Sequence, residues 1–329
     1  MTSLYRNIIA RSWEMVKKYK FFWLLGLFAM FFGTVAEYKS LFVELSRLSN
    51  QPNVYDAIAR TITIYGTAWQ AIWQLPLANL LAVLLTILLG ILLVIVMAWL
   101  ATVSQVTIIQ AADDIREDKS FKWPRLLQNS HKFFWRAFGL NLLAKVIIFI
   151  LLTLLITPLL TILVANGSAW ALPMTIITLV IFVPLTIILS FVTKYAINFV
   201  VLEKHKFWES FGHGWRLFAQ HWLISIEMAI IALIVYIALA FIMSLASLLL
   251  ASPLLVIGML SGNSQLFYIF LGAALVISAA IFLFGSAVFT AWQNVAWTLL
   301  FRKLQSGQVF AKIVRWVAAR AVKKSQAKL

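Results

Sequence analysis

Three ionisable side chains of this sequence fall inside long apolar stretches, where a charge is unfavourable and is therefore a candidate for chemistry. They are Lys145, Lys194 and Glu227, each within two or three helical turns of the end of its stretch. A carboxylate at membrane depth is unfavourable by several kcal/mol unless it is paired, protonated or hydrated. We therefore predict that Glu227 is ionised and paired with Lys145, with Lys194 as the alternative partner.

Amide side chains occur at a similar depth, so these ionisable residues have polar neighbours. Such a polar layer can join helices through hydrogen bonds, or it can bind a permeating solute or a lipid head group. The sequence leaves both interpretations open. The predicted intramembrane polar layer consists of Gln105, Asn141, Lys145, Lys194, Asn198, Glu227, Gln293 and Asn294.

Neither the histidines nor the acidic residues form a pattern typical of a catalytic or metal site. His205, His213 and His221 are eight residues apart, too far along a straight helix for neighbours to share a metal, so they are interpreted as interfacial polar residues. A metal site assembled between repeats is the alternative. The acidic residues Asp113, Asp114, Glu117 and Asp118 have Arg116 and Lys119 among them at a helix end, which favours a solvated turn over a divalent-cation site. Because the sequence lacks cysteine and known catalytic motifs, it predicts no enzyme, no cofactor and no metal.

The composition and the length of the uncharged runs determine the class of protein. Of 329 residues, 63% are apolar and only 12% are charged. No charged residue occurs in 61–112, 146–193 or 228–301. A bilayer core of about 30 Å needs about 20 helical residues, so each of the last two runs is long enough for two spans. The sequence therefore predicts an all-α, polytopic helical membrane protein.

The basic residues are distributed asymmetrically between the predicted spans. The net charge is +16, with 22 of the 27 Lys and Arg residues on one side and only Lys39, Arg47 and Arg60 on the other. The positive-inside rule then places both termini in the cytoplasm of a multi-pass cell-membrane protein. Membrane topology therefore explains the net positive charge, and no nucleic-acid partner is predicted.

We predict a single membrane domain, 1–301, with six spans in three hairpins. An outer loop covers 37–75, and a basic cytoplasmic tail with an amphipathic helix covers 302–329. Cleavage of the first span as a signal peptide after residue 36 is a rival interpretation, but its helix-plus-span unit recurs later in the chain. The predicted spans cover about 21–36, 76–112, 138–165, 173–202, 223–250 and 266–301.

An amphipathic helix rich in basic and aromatic residues is predicted at the cytoplasmic interface before each hairpin, over 3–19, 121–137 and 204–221. In the third helix Leu217 is the one large residue that does not fit the apolar face. The predicted interfacial anchors are Trp13, Trp23, Trp123, Trp135, Trp208, Trp215, Trp222 and Trp316. The predicted lipid-facing basic residues of the tail are Lys312, Arg315, Arg320, Lys323 and Lys324.

Each predicted unit has the same order: interfacial helix, aromatic-Trp junction, span out, turn, span back. This order predicts weak parallel repeats about the membrane normal. The chain thereby resembles bacterial six-span membrane proteins related to the membrane domain of glycerophosphodiester phosphodiesterases, without the catalytic domain. The matching segments are S-W-E-M-V-K-K-Y-K-F-F-W (12–23), N-S-H-K-F-F-W (129–135), V-V-L-E-K (200–204) and E-S-F-G-H-G-W-R-L-F-A-Q-H-W (209–222).

Two functions from different classes fit these observations. The first is a non-catalytic membrane protein that binds or organises lipids, chiefly anionic ones, or membrane partners through its basic interfacial helices. The alternative is a transporter of a small molecule or lipid that uses three parallel repeats around the polar layer. The charge-poor interior favours the first function.

Overall fold

The structure is a computed structural model, and it describes residues 4–32, 76–119, 123–166 and 171–307, together with positions 63, 66, 67, 70 and 73. Apart from those five positions, the predicted outer loop 37–75 lies outside the described residues. The predicted tail beyond residue 307 also lies outside them, with Trp316 and the five basic residues assigned to lipid.

Every element in the described ranges is a helix, as the composition predicts. Two short 3₁₀ turns extend the regular helices, Met30–Phe32 after the second and His131–Phe133 after the fourth. The α-helices are α1 Leu4–Lys18, α2 Phe21–Ala29, α3 Leu77–Arg116, α4 Trp123–Ser130, α5 Phe134–Asn166, α6 Ala171–Leu202, α7 Phe207–Leu260 and α8 Ser264–Gln305.

Five stretches of helix among the described residues are long and apolar enough to cross a membrane. This finding is compatible with a helical membrane protein. The predicted span 21–36 is not among them. Its described part consists of α2 and the 3₁₀ turn that ends at Phe32, and residues 33–36 lie outside the description. The five stretches are Leu77–Arg116, Pro124–Leu151, Val180–Leu202, Trp222–Leu260 and Ser264–Gln305.

Helix α7 contains a break near its start and continues further than the sequence suggested. Glu209 accepts a hydrogen bond from the Lys206 backbone N–H at 3.2 Å, which caps the first turn. His221 has non-helical angles, φ −129° and ψ 30°, so the segment 207–220 is set off from the apolar helix that follows. The helix continues past the end predicted for this span at about residue 250, through Pro253, to Leu260.

Proline is tolerated in helices within apolar spans because local adjustment of the helix can satisfy the backbone groups that its missing N–H leaves free. Beyond Pro253, α7 packs closely on α8: a Cβ added to Gly258 would lie 3.2 Å from Cβ of Phe270 in α8. The turn between the two helices is only Ser261 to Asn263, with Gly262 at φ +62°. A side chain at position 262 would be strained, so glycine suits this turn.

The chain divides into two compact units. The first unit contains Met1–Phe31, Leu100–Ala137 and Lys194–Leu329, and the second contains Phe32–Trp99 and Phe138–Thr193. In the first unit, α8 packs against α7, α2 and α1. The α2 contact is especially close, since a Cβ on Gly26 would lie 2.1 Å from the Ala287 carbonyl oxygen. Small residues allow such close approach between membrane helices.

The part of α3 that belongs to the first unit is buried on nearly every side. From Ala101 to Asp113 only Gln105 and Gln110 are more than slightly exposed. Small and hydroxyl-bearing residues dominate this stretch and permit tight helix contacts. In the second unit the preceding part of α3 exposes its leucines and isoleucines, as expected of a helix surrounded by lipid.

Candidate functional site

An ion cluster in the first unit is centred on Arg302, near the end of α8. Its guanidinium donates from Nε to Asp113 Oδ1 at 2.9 Å and from Nη2 to Oδ2 at 2.6 Å, and Nη1 donates to Glu203. Arg116 also donates from Nε to Asp113 Oδ1 at 3.0 Å. The bidentate geometry makes this the strongest type of side-chain ion pair. The cluster therefore ties together the ends of α3, α6 and α8.

The ion cluster corrects the expectation of a solvated acidic turn. Asp113 is only 8% exposed, and both its oxygens are bound by guanidinium groups. Glu117, by contrast, is exposed and bonds to Lys119, whose hydrogen bond lowers the pKa of the Glu117 carboxyl. The prediction is therefore wrong for Asp113 and holds for Glu117. The sequence did carry a signal, because Asp113 and Arg302 are each the first charge after an uncharged run.

Glu227 accepts a hydrogen bond from the Tyr5 hydroxyl, which links α7 to α1. Tyr5 is buried on the apolar face of the predicted interfacial helix 3–19, and no partner for it was predicted from the sequence. An aromatic hydroxyl on such a face is the signal that could have found this contact, since buried tyrosine hydroxyls usually find a hydrogen-bond partner. Lys145 belongs to the second unit. Its predicted ion pair with Glu227 stays a prediction.

Lys194 lies on α6 with its ammonium over the ring of Trp297 in α8, 4.8 Å from the ring centre. The next residue, Tyr195, shares a hydrogen bond of 2.7 Å with Ser225 of α7. Its ring also meets Trp297 edge to face, with centroids 5.8 Å apart. Aromatic and hydroxyl contacts thus join the ends of α6, α7 and α8 around Lys194.

The amides of the predicted polar layer make mostly local contacts. Asn198 Nδ2 donates to the Lys194 carbonyl at 2.8 Å, and Asn294 Nδ2 donates to the Thr290 carbonyl at 2.9 Å. Gln105 and Gln293 are half-buried in the first unit. Asn141 belongs to the second unit, where it is buried. The structure brings Lys194, Asn198 and the Trp297 face of α8 together.

Two histidines come together although their spacing suggested separation. The rings of His205 and His213 have centroids 4.8 Å apart, because His205 precedes α7 and the chain reverses at Lys204, where φ is +59°. The expectation assumed a straight helix and is wrong for this pair. His205 Nδ1 lies 3.9 Å from Glu209 Oε2. Within the described ranges, no group of three His, Cys, Asp or Glu residues could hold a metal ion.

The tryptophans predicted as interfacial anchors fall into two groups. On the first segment of α7, Trp208 is 72% exposed and Trp215 53%, and Trp222, directly after the break at His221, is 52% exposed. Trp135 and Trp13 are exposed as well. Trp23 instead donates from its indole N–H to the Val16 carbonyl at 3.0 Å and is half-buried. The side chain of Trp123 lies outside the described residues.

The exposed tryptophans of α7 form a stripe, called here the tryptophan stripe: Trp208, Trp215 and Trp222. A spacing of seven residues is about two helical turns, so Trp208 and Trp215 share one side of the first segment, and Trp222 follows directly after the break at His221. At about 100° per residue, a buried side containing Ser210, Gly214 and Leu217 lies on one flank of the stripe, and a polar side containing Glu209, Arg216 and Gln220 lies on the other. Leu217, the misfit in the sequence pattern, thus belongs to the side that faces protein.

Together, the long apolar helices and the exposed tryptophans fit the class of helical membrane proteins. Comparison of the chain with protein-family models, with curated protein sequences and with solved structures finds no match. The resemblance to six-span membrane proteins stays a prediction from sequence.

Proposed function

We propose that this chain is a non-catalytic integral membrane protein that binds anionic lipids through its basic, tryptophan-bearing interfacial segment at the start of α7. The tryptophan stripe is the observation that carries the proposal. Tryptophan favours the head-group level of a bilayer, where the ring is buried and the indole N–H remains hydrated. The stripe lies between a side packed on protein and a polar side, which is the arrangement expected of a helix at the membrane interface.

Basic residues accompany the stripe and supply the selectivity for anionic lipid. Lys204 and Lys206 precede α7 and are exposed, and Arg216 is exposed on the polar side of the helix. Arg136 donates to the Lys204 and His205 carbonyls at 3.5 Å, which helps to hold this linker in place. Each basic residue near an anionic surface contributes about 1 kcal/mol. The tail residues Lys312, Arg315, Arg320, Lys323 and Lys324 are proposed to add to the same binding.

Lipid binding by the full-length protein in a neutral detergent tests this function. Replacing Lys204, Lys206 and Arg216 with glutamine should weaken phosphatidylglycerol binding by up to about 100-fold at low salt, with little effect on phosphatidylcholine. The matched control replaces Lys39, Arg47 and Arg60, which changes the net charge equally on the proposed outer side. Equal losses in the two variants would show that net charge alone drives binding.

The topology proposed with this function has six spans and both termini in the cytoplasm, supported by the distribution of basic residues. The first hairpin then includes a span that begins with α2. Because the chain has no cysteine, single cysteines report topology without background. Cysteines at positions 50 and 320 should react with an impermeant reagent from opposite sides. Reaction of both from the same side would overturn this topology.

The transporter remains the second candidate function, and Lys194 is the observation in its favour. A cation within a candidate span that packs against aromatic side chains is where a transported anion or a head group would bind. A transporter would show uptake of labelled solute or lipid into proteoliposomes, with loss of uptake in Lys194→Met.

A further inference from the structure

The side chain of Lys194 is held by an interaction that is weak relative to the desolvation of its charge. The Trp297 ring, 4.8 Å from the ammonium, is the group that the structure places against it. Among the described residues, no carboxylate lies within 4 Å of this ammonium. A cation–π contact is worth about 0.5–2 kcal/mol, whereas transfer of an ammonium out of water costs several kcal/mol. Trp297 therefore offsets only part of this cost.

Asn198 lies one helical turn from Lys194 on the same side of α6. It is 3% exposed, and its Nδ2 donates to the Lys194 carbonyl. Its Oδ1 is buried and accepts no hydrogen bond from any described residue. Buried carbonyl oxygens are nearly always paired, so an exception in this position calls for an explanation. A ligand with a hydroxyl or N–H group could donate a hydrogen bond to this oxygen, which would explain the exception.

Gln293 adds a third polar group from the facing helix. It precedes Trp297 by four residues on α8, so the two side chains share one side of that helix. Gln293 is half-buried, and the described part of the chain gives its amide no hydrogen bond. Its Nε2 can donate and its Oε1 can accept. Gln293 thus lies one helical turn from Trp297, whose ring the Lys194 ammonium contacts.

The two helices are fixed relative to each other at this level. Tyr195 contacts Trp297, and the rings of Phe199 and Phe301 meet edge to face with centroids 4.8 Å apart. Tyr195 is held in turn by its hydrogen bond with Ser225. Lys194 as a whole is half-buried, so its side chain is only partly enclosed by protein. A site built on rigid helices is suited to binding.

We propose that Lys194, Asn198 and Gln293 form a binding site for a negatively charged oxygen group such as phosphate. The Lys194 ammonium neutralises the charge, the Gln293 amide donates to an oxygen, and Asn198 Oδ1 accepts from a hydroxyl of the ligand. Such interactions are strong in a medium of low dielectric constant. Both the phosphate of a lipid head group and a soluble phosphate offer this chemistry. The site is separate from the tryptophan stripe and does not depend on lipid binding there; it is also the place where the transporter, as second candidate function, would bind its anion or head group.

Thermal unfolding of the full-length protein in neutral detergent tests the site. The probes are inorganic phosphate and phosphatidylglycerol, each measured at high salt to screen exposed interfacial contacts, with chloride at equal ionic strength as the reference. At a ligand concentration 100 times the dissociation constant, the folded state is favoured about 100-fold, which raises Tm by a few degrees. Lys194→Met should remove this rise. The matched control, Lys303→Met at an exposed position near the end of α8, should keep it.

The two probes distinguish the source of the phosphate. A rise in Tm with inorganic phosphate that Lys194→Met removes assigns the site to soluble anions, and one with phosphatidylglycerol alone assigns it to a lipid head group. If Lys194→Met does not fold, Gln293→Leu provides the same comparison with a smaller expected loss. The proposal is overturned if neither probe stabilises the wild type, or if the rise is undiminished in the position-194 and position-293 variants.

Discussion

Two segments of the first unit, α1 and the first segment of α7, have similar sequence patterns but different surroundings. Both combine basic, aromatic and aliphatic residues with helical spacing. The apolar side of α1 is buried against protein, including Ile8, Met15 and Val16. The first segment of α7 buries a narrower side and leaves the tryptophan stripe exposed. An amphipathic pattern therefore does not by itself distinguish a helix packed on protein from one available to lipid.

The difference lies in the contacts that each segment makes beyond its apolar side. Helix α1 is attached through the Tyr5 hydrogen bond to Glu227, and the Val16 carbonyl near its end accepts the Trp23 indole N–H. The first segment of α7 has its ion pair and linker hydrogen bonds at its start, where Glu203 binds Arg302 and Arg136 bonds the linker backbone. Further along it packs on protein through its buried side only, and its tryptophans remain exposed.

The largest expected effect concerns Arg302, which holds the start of the α7 segment in place. Arg302→Ala leaves the carboxylate of Asp113 buried without its bidentate partner, and we expect a loss of about 3–5 kcal/mol in unfolding free energy. Denaturant unfolding measures this loss. Lys303→Ala, at the neighbouring exposed residue, is the control and should have little effect. Adding Asp113→Asn to Arg302→Ala should recover part of the loss, and failure to do so would contradict the role given to this pair.

The next effect tests the burial of α1. Met15 is 4% exposed, so Met15→Ala should destabilise the fold by about 2–5 kcal/mol through lost burial and cavity formation. Trp13→Ala, on the exposed side of the same helix, should change stability by less than about 1 kcal/mol. If α1 instead lay with its apolar side in lipid, Met15→Ala would have little effect and the comparison with α7 would fail.

A smaller effect is expected from the contact between α1 and α7. Tyr5→Phe removes a hydrogen bond to a carboxylate and should cost about 1.5–3 kcal/mol of stability. A double-mutant cycle with Glu227→Gln should give a positive coupling energy, whereas independent effects would show that the bond is not important for stability. The same cycle with Lys145→Met or Lys194→Met tests the predicted ion pair of Glu227.

The smallest stability effect is expected at the tryptophan stripe. Trp215→Ala should change unfolding free energy by no more than about 1 kcal/mol, because the side chain is half exposed. It should nevertheless weaken binding of the protein to phosphatidylglycerol. Leu217→Ala, two residues on but buried, should show the reverse: a clear loss of stability with lipid binding retained. Equal behaviour of the two variants would remove the distinction between the sides of this segment.

Much of the helix pattern was predictable, because long uncharged runs have few alternatives to membrane helices. The exact helix ends were less predictable: the sequence predicted the end of one span at about residue 250, but the helix continues through Pro253 to Leu260. Leu217 did not fit the predicted apolar face because that prediction assumed a single apolar side for the helix. In the structure the segment has two such sides: one packs on protein and contains Leu217, and the other is exposed and carries the tryptophans. Periodicity reports which residues are apolar, but it does not report what covers them.

The candidate sites were predictable from the sequence to different extents. Lys194 and Glu227 followed from the cost of an intramembrane charge. Tyr5 as the partner of Glu227, and Arg302 as the partner of Asp113, depend on contacts across more than 180 residues of chain. Such pairings arise from tertiary packing, which helical periodicity does not contain. The approach of His205 to His213 required the chain reversal at Lys204, for which the sequence gave no glycine signal.

Lipid contact at positions 215 and 15 is the most direct test of the contrast between the α7 segment and α1. Single cysteines at these positions, in a chain that otherwise has none, can carry a fluorophore in proteoliposomes containing lipids brominated near the head group. We predict strong quenching of the label at position 215, and weak labelling and weak quenching at position 15. Equal quenching at both positions, or stronger quenching at position 15, would contradict the account.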